Sequence, residues 1–152
     1  MDDKNNTQIN ANRKADERGF LHTEISYALR GCIYDIRNNY GPGHKESVYT
    51  NLLIEVLKIK NIVTEKEKSI NIYSDATGKK VGTYRPDLLV ADAILVEVKS
   101  SKFTSKTNEI QLYHYLRNSK YEVGYLVNFS SPRLYIKRIV YGNHRKPFLK
   151  SR

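Results

Sequence analysis

The sequence predicts an α/β fold, a mixed central sheet flanked by helices. Two observations carry that reading. Apolar residues recur at helical spacing early in the chain, at Ile25, Leu29, Cys32, Ile33 and Ile36. Later, between Arg85 and Lys99, two apolar runs flank a short polar break, the pattern of two buried strands joined by a tight turn. Read end to end, the order is helix, helix, three strands, helix, two strands, which suits helices packed on a sheet.

The first amphipathic helix runs from about Thr23 to Asn39, and Gly41-Pro42-Gly43 breaks it. A second helix follows, with Val48, Leu52, Leu53, Val56 and Leu57 on its inner face, ending near Asn61. Ile62 to Glu65 and Ser69 to Tyr73 read as strand pieces, and Asp75 to Lys80 as a turn. Val81 to Val90 and Ile94 to Lys99 are the two central strands. A third helix spans about Ser105 to Ser119, and Val123 to Asn128 and Leu134 to Val140 complete the set as strands.

With 152 residues, 39% of them hydrophobic and 28% charged, the chain suits one soluble domain with a core of its own. No apolar run approaches the roughly 20 residues that cross a bilayer, so no membrane association is expected. Met1 to Arg18 is polar, with four acids and four bases, and resembles neither a secretory signal nor a transit peptide. Residues 1–20 therefore read as a disordered polar tail, 21–142 as the domain and 143–152 as a basic tail. Cys32 is the single cysteine and lies on an apolar stripe, which makes it a buried thiol in a cytoplasmic protein. The other histidines, His22, His114 and His144, show no metal-ligand spacing with one another or with Cys32, which excludes a zinc site.

Net charge is +10, yet seven basic residues and no acid fall between Arg133 and Arg152, leaving only +3 for the rest. Arg133, Lys137, Arg138, Arg145 and Lys146 are the expected contacts to a nucleic-acid backbone, because clustered cations displace counterions from phosphates. A solubilising tail would show the same composition.

The candidate chemistry lies in the central strands. If their turn centres on Asp92, Asp87 faces Glu97 directly, with Cβ atoms roughly 4.5–5.5 Å apart. Glu97 and Lys99 are two apart on one strand and so share a face. Opposed carboxylates repel unless a positive group sits between them, and their hard oxygens suit Mg²⁺ or Mn²⁺. A polar cluster in which Lys99 pairs with Glu97 would use the same residues.

Gly43-His44-Lys45-Glu46-Ser47-Val48-Tyr49, Pro86-Asp87, Glu97-Val98-Lys99 and Gln111-Leu112-Tyr113-His114-Tyr115 stand in an order that resembles the PD-(D/E)XK nuclease superfamily. Within it they look like the small GxxExxY, RecB-like branch, and the likeness extends from about Ile25 to Val140. It implies a restriction-endonuclease-like αβββαβ core and Mg²⁺-dependent hydrolysis of phosphodiester bonds, in DNA before RNA. It also implies that Glu46 joins Asp87 and Glu97 as a metal ligand or water-positioning base. Lys99 would stabilise the attacking water and phosphate, with Gln111 and Tyr115 beside them. Four residues apart, Gln111 and Tyr115 do share one helix face. His44-Lys45 departs from the apolar residues usual after the second glycine, and reads as a surface turn. A homodimer would suit duplex or junction cleavage. The rival reading is a nucleic-acid-binding or interaction module that keeps the fold without cutting.

Overall fold

The computed structural model describes residues 20–150; the expected polar tail lies outside them, save for Phe20. Helix α1 (Thr23–Tyr40) buries Ile25, Leu29, Cys32, Ile33 and Ile36, the stripe its spacing predicts. It closes at Gly41, and the chain reverses through Gly41 and Gly43, whose φ angles of 68° and 99° lie where a side chain is disfavoured. Helix α2 (Glu46–Ile59) buries Tyr49, Thr50, Leu53 and Leu57. Leu52 and Val56 pack at the margin of the core as expected, but Val48 is exposed and Tyr49 takes the inner position. The Tyr49 ring stacks on Phe129 at 4.4 Å, and its hydroxyl donates to the carbonyl of Gly41, closing the turn between the helices.

Five strands form the main sheet: β1 (Thr64–Lys66), β4 (Leu88–Val90), β5 (Ile94–Lys99), β6 (Val123–Asn128) and β7 (Tyr135–Val140), in that spatial order. Only β5 and β6 run parallel, and α3 (Lys106–Arg117) makes the crossover that a parallel pair requires. Ser105 caps α3 by accepting the backbone N–H of Thr107 at 3.2 Å. The expected αβββαβ core is thus present as α2, β1, β4, β5, α3 and β6.

The predicted strand Val81–Val90 is two strands in two sheets. Its first half, β3 (Lys80–Tyr84), pairs with β2 (Ile70–Tyr73) as a separate hairpin, and its second half is β4. The break falls at Arg85-Pro86-Asp87, where Pro86 has no N–H to give a ladder. The β2–β3 hairpin is consequently an insertion between the first two strands of the core sheet.

Alternation along β4 and β5 sorts side chains onto two faces. Leu88, Val90, Val96 and Val98 join α1 and α2 in one core, whereas Leu89 and Leu95 join Leu112 and Leu116 of α3 in another. Ile70 and Tyr84 of the hairpin pack into that second core.

Residues 143–150, expected as a tail, are folded onto the domain. A 3-10 turn (Asn143–Arg145) leads into α4 (Pro147–Lys150), and Phe148 is buried. Among the described residues no helix is long and apolar enough to cross a membrane.

Candidate active site

The hairpin register pairs Leu88 with Val96, Leu89 with Leu95 and Val90 with Ile94, the register expected for a turn centred on Asp92. The turn itself has positive φ at Ala91 (52°) and Asp92 (48°), and Ala93 N–H donates to Val90 O at 3.0 Å. Two successive positive φ values give the turn a hand that matches the twist of its strands, and the pairing of Val90 with Ile94 leaves three residues, 91–93, in the loop. Asp87 stands in a bend immediately before β4, outside the paired residues, and lies beside the Glu97–Val98 stretch of β5. By alternation Glu97 and Lys99 fall on the α3 face of the sheet, the charge of Asp87 acts on Glu97, and all three are half-buried.

The two carboxylates are anchored separately. Asp87 Oδ2 accepts the backbone N–H of Val98 at 2.7 Å, and Glu97 Oε1 accepts the hydroxyl of Tyr84. Burial pushes Glu97 up to about 7, and the charge of Asp87 pushes the same way; the Tyr84 hydroxyl and the Lys99 ammonium pull against them. Tyr84 is itself buried, and desolvation together with Glu97 holds its phenol well above the usual range, so it stays a neutral donor. Its ring lies parallel to that of Tyr115 with centroids 3.3 Å apart. Gln111 Nε2 donates to the Tyr115 hydroxyl at 2.8 Å, so those two residues share a face of α3 as their spacing predicts. Glu97, Gln111 and Tyr115 line a cleft of about 710 Å³ whose opposite wall is the β2–β3 hairpin.

Two half-buried carboxylates that repel each other fit a hard divalent cation. Mg²⁺ commonly takes one or two carboxylates and keeps several waters, and in each of these carboxylates one oxygen accepts a hydrogen bond, Asp87 Oδ2 from Val98 and Glu97 Oε1 from Tyr84, which leaves the other for a cation. The expected third ligand is not with them. Among the described residues no three His, Cys, Asp or Glu side chains converge. Glu46 is exposed in the first turn of α2, and α2 packs on the sheet face carrying Val96 and Val98, opposite to that of Glu97.

The expected basic patch also divides. Strand β7 carries the chain from the Asn128 end of β6 to the Val123 end, so Arg133 and Arg145 stand at opposite ends of the sheet. Lys137 and Arg138 point to opposite faces, and Arg138 donates to Leu21 O at 3.0 Å. Lys146 is a correction: it is fully buried, and its ammonium donates to Ser119 O, Tyr121 O and Asn143 Oδ1 at 2.6–2.7 Å. No proton is left for a phosphate, since an ammonium has three.

Two residues that sequence reasoning passed over matter here. Tyr84 is one of twelve tyrosines, and only its position thirteen residues before Glu97 on a strand that folds back could have marked it. Asn128 is fully buried at the end of an otherwise apolar strand, a signal that was legible. Its amide bonds Ser101 and Thr104 and so fixes the loop that leaves Lys99.

An inserted hairpin, an antiparallel-then-parallel sheet and a half-buried carboxylate pair with a lysine on the Glu97 face define a class, the restriction-endonuclease-like α/β domain of nuclease type. Residues 23–139 match the PD-(D/E)XK nuclease superfamily, and the chain belongs to it. The crystal structure of SSO0001 is similar at 22% identity and a TM-score of 0.46, over 74% of this chain. This chain spans 62% of the length of that one. No curated protein matches it.

Proposed function

We propose that this protein is a cytoplasmic, Mg²⁺-dependent nuclease that hydrolyses phosphodiester bonds, with DNA as its substrate. The observation that carries the reading is the half-buried pair Asp87 and Glu97, near enough for the charge of one to act on the other, with Lys99 on the Glu97 face at the edge of an open polar cleft. Mn²⁺ has the same preference for hard oxygen ligands and would serve in place of Mg²⁺.

Asp87 and Glu97 would hold the cation, which when bound supplies a water of lowered pKa and neutralises charge building on the phosphate. Tyr84 holds Oε1 of Glu97, leaving Oε2 to turn toward the cleft. Lys99 lies on the same face two residues further along the strand, where its ammonium would stabilise the charge on the attacked phosphate. Gln111 and Tyr115, bonded to each other in the lining of the cleft, would position the substrate beside Glu97.

The test is a panel of labelled single-stranded, duplex and four-way DNA and single-stranded RNA, each with Mg²⁺, Mn²⁺ or chelator. Cutting of DNA with Mg²⁺ or Mn²⁺, lost with chelator and in Glu97→Gln, supports the reading. Binding without cutting under every condition establishes the non-cleaving module instead.

A further inference from the structure

We propose that the cleft between the β2–β3 hairpin and α3 takes a single nucleic-acid strand, with Lys80 and Arg85 holding its phosphates. The inference rests on the nuclease reading for the chemistry at the floor, but the binding it describes stands on other residues.

The hairpin lies outside the five-stranded sheet and pairs only with itself. Its apolar side, Ile70 and Tyr84, docks it against the α3 core, so it stands as a fixed wall over Glu97. Its exposed side chains carry the charge. Lys80 begins β3 and Arg85 follows its end, both are exposed, and both line the cleft. Arg85 Nε donates to Ser69 at 3.1 Å, which fixes the guanidinium and leaves its terminal nitrogens for a phosphate. Among the described residues neither cation has a carboxylate partner. Glu97 is the one acid in the lining, so the wall is positive and the floor negative.

The cleft is open to solvent, and its volume of about 710 Å³ is on the scale of a small-molecule pocket, room for a nucleotide or two. The cleft also has an aromatic side chain in its lining, Tyr115, whose ring is stacked on Tyr84. A cationic wall beside an aromatic ring is the recurring arrangement for unpaired strands, and it reads no sequence. The exposed basic residues of β7 and the C-terminal segment do not line this cleft.

The test is fluorescence anisotropy with a labelled oligothymidylate, single-stranded or annealed to oligodeoxyadenylate, in chelator so that nothing is cut. The wild type should bind the single strand more tightly than the duplex. In Lys80→Ala/Arg85→Ala the slope of log K against log salt should flatten by about 1.4, at roughly 0.7 per phosphate on a single strand. Each single variant should lose about half of that, and circular dichroism melts should match the wild type because both side chains are exposed. Tighter duplex binding, or an unchanged slope in folded variants, overturns the proposal. If the wild type shows this binding but cuts nothing with Mg²⁺, hydrolysis is refuted and the strand site stands. If it cuts while the slopes are unchanged, the reverse holds.

Discussion

Tyr84 joins the wall of the cleft to its floor: the hydroxyl donates to Glu97 while the ring stacks on Tyr115 of α3. One side chain of the inserted hairpin therefore positions a carboxylate of the core sheet and a helix on the far side of the cleft. The stack holds the ring whether or not the hydroxyl is present, so the two contributions can be separated by substitution.

Tyr84→Phe should keep the fold and lower the cleavage rate about tenfold, which corresponds to about 1.4 kcal/mol. The loss should fall on kcat more than on KM, because Glu97 loses its anchor while the cleft keeps its shape. Tyr84→Leu should in addition raise KM, since the stack on Tyr115 goes with the ring. Steady-state kinetics on both variants would check this, and equal effects of the two would remove the hydroxyl from the account.

Asp87→Asn tests the repulsion between the carboxylates. An amide oxygen can still accept the N–H of Val98, so the variant removes charge without removing the bond. In the absence of metal it should be as stable as the wild type or more so. Mg²⁺ at about 100 times its Kd should stabilise the wild type by about 2.7 kcal/mol by mass action, and the variant much less. Urea denaturation with and without Mg²⁺ reads both. Destabilisation by the substitution, with no metal effect on the wild type, would identify a structural polar cluster.

Lys99→Ala should fold and bind metal, and lose at least about a hundredfold in cleavage, the scale for deleting one group that stabilises transition-state charge. Metal binding is followed by the same denaturation shift, cleavage by single-turnover kinetics. Wild-type rates in this variant would exclude Lys99 from the mechanism.

Lys146→Met should destabilise the protein by about 1–3 kcal/mol, because the carbonyls of Ser119 and Tyr121 lose a buried donor. The salt dependence of nucleic-acid binding should not change. A flattened salt slope in that variant would place Lys146 at the interface after all.

The same lysine gives a pH dependence with a definite sign. Burial pushes its ammonium from 10.5 down to about 8, with Glu122 pulling partly back. Between those values the unfolded chain holds a proton that the folded protein has released, so this group's contribution to stability rises with pH across that window. Below about pH 8 both states are charged and the contribution is flat. Denaturation midpoints of the wild type relative to Lys146→Met should therefore climb between about pH 8 and 10.5; a fall would reverse the sign.

Local pattern determined a large part of this protein. The 3.6-residue spacing from Ile25 to Ile36 places α1 and its buried stripe, and the turn at Asp92 with the two-residue period gives the β4–β5 register and sets Glu97 and Lys99 on one face. Both follow from short-range geometry, in which each residue's direction is fixed by its near neighbours. The motifs around Gly43, Pro86, Glu97 and Gln111 likewise suffice for the superfamily.

Tertiary structure decided what depends on residues far apart in the chain. Whether Val81 to Val90 is one strand or two turns on which partner each half finds, and β2 claims the first half while β1 and β5 claim the second. Glu46 has the right spacing from Gly43 and Tyr49, but it is exposed in the first turn of α2, and among the described residues no third acid joins Asp87 and Glu97. Charge composition showed an excess of cations at the C-terminal end, yet an antiparallel strand divides them between the two ends of the sheet and the core takes Lys146. Lys80 and Arg85 carry no local signal as a pair; only the docking of the hairpin over Glu97 brings them to the same cleft. Periodicity fixes which way a side chain points from its own element, and only packing fixes what that element points at.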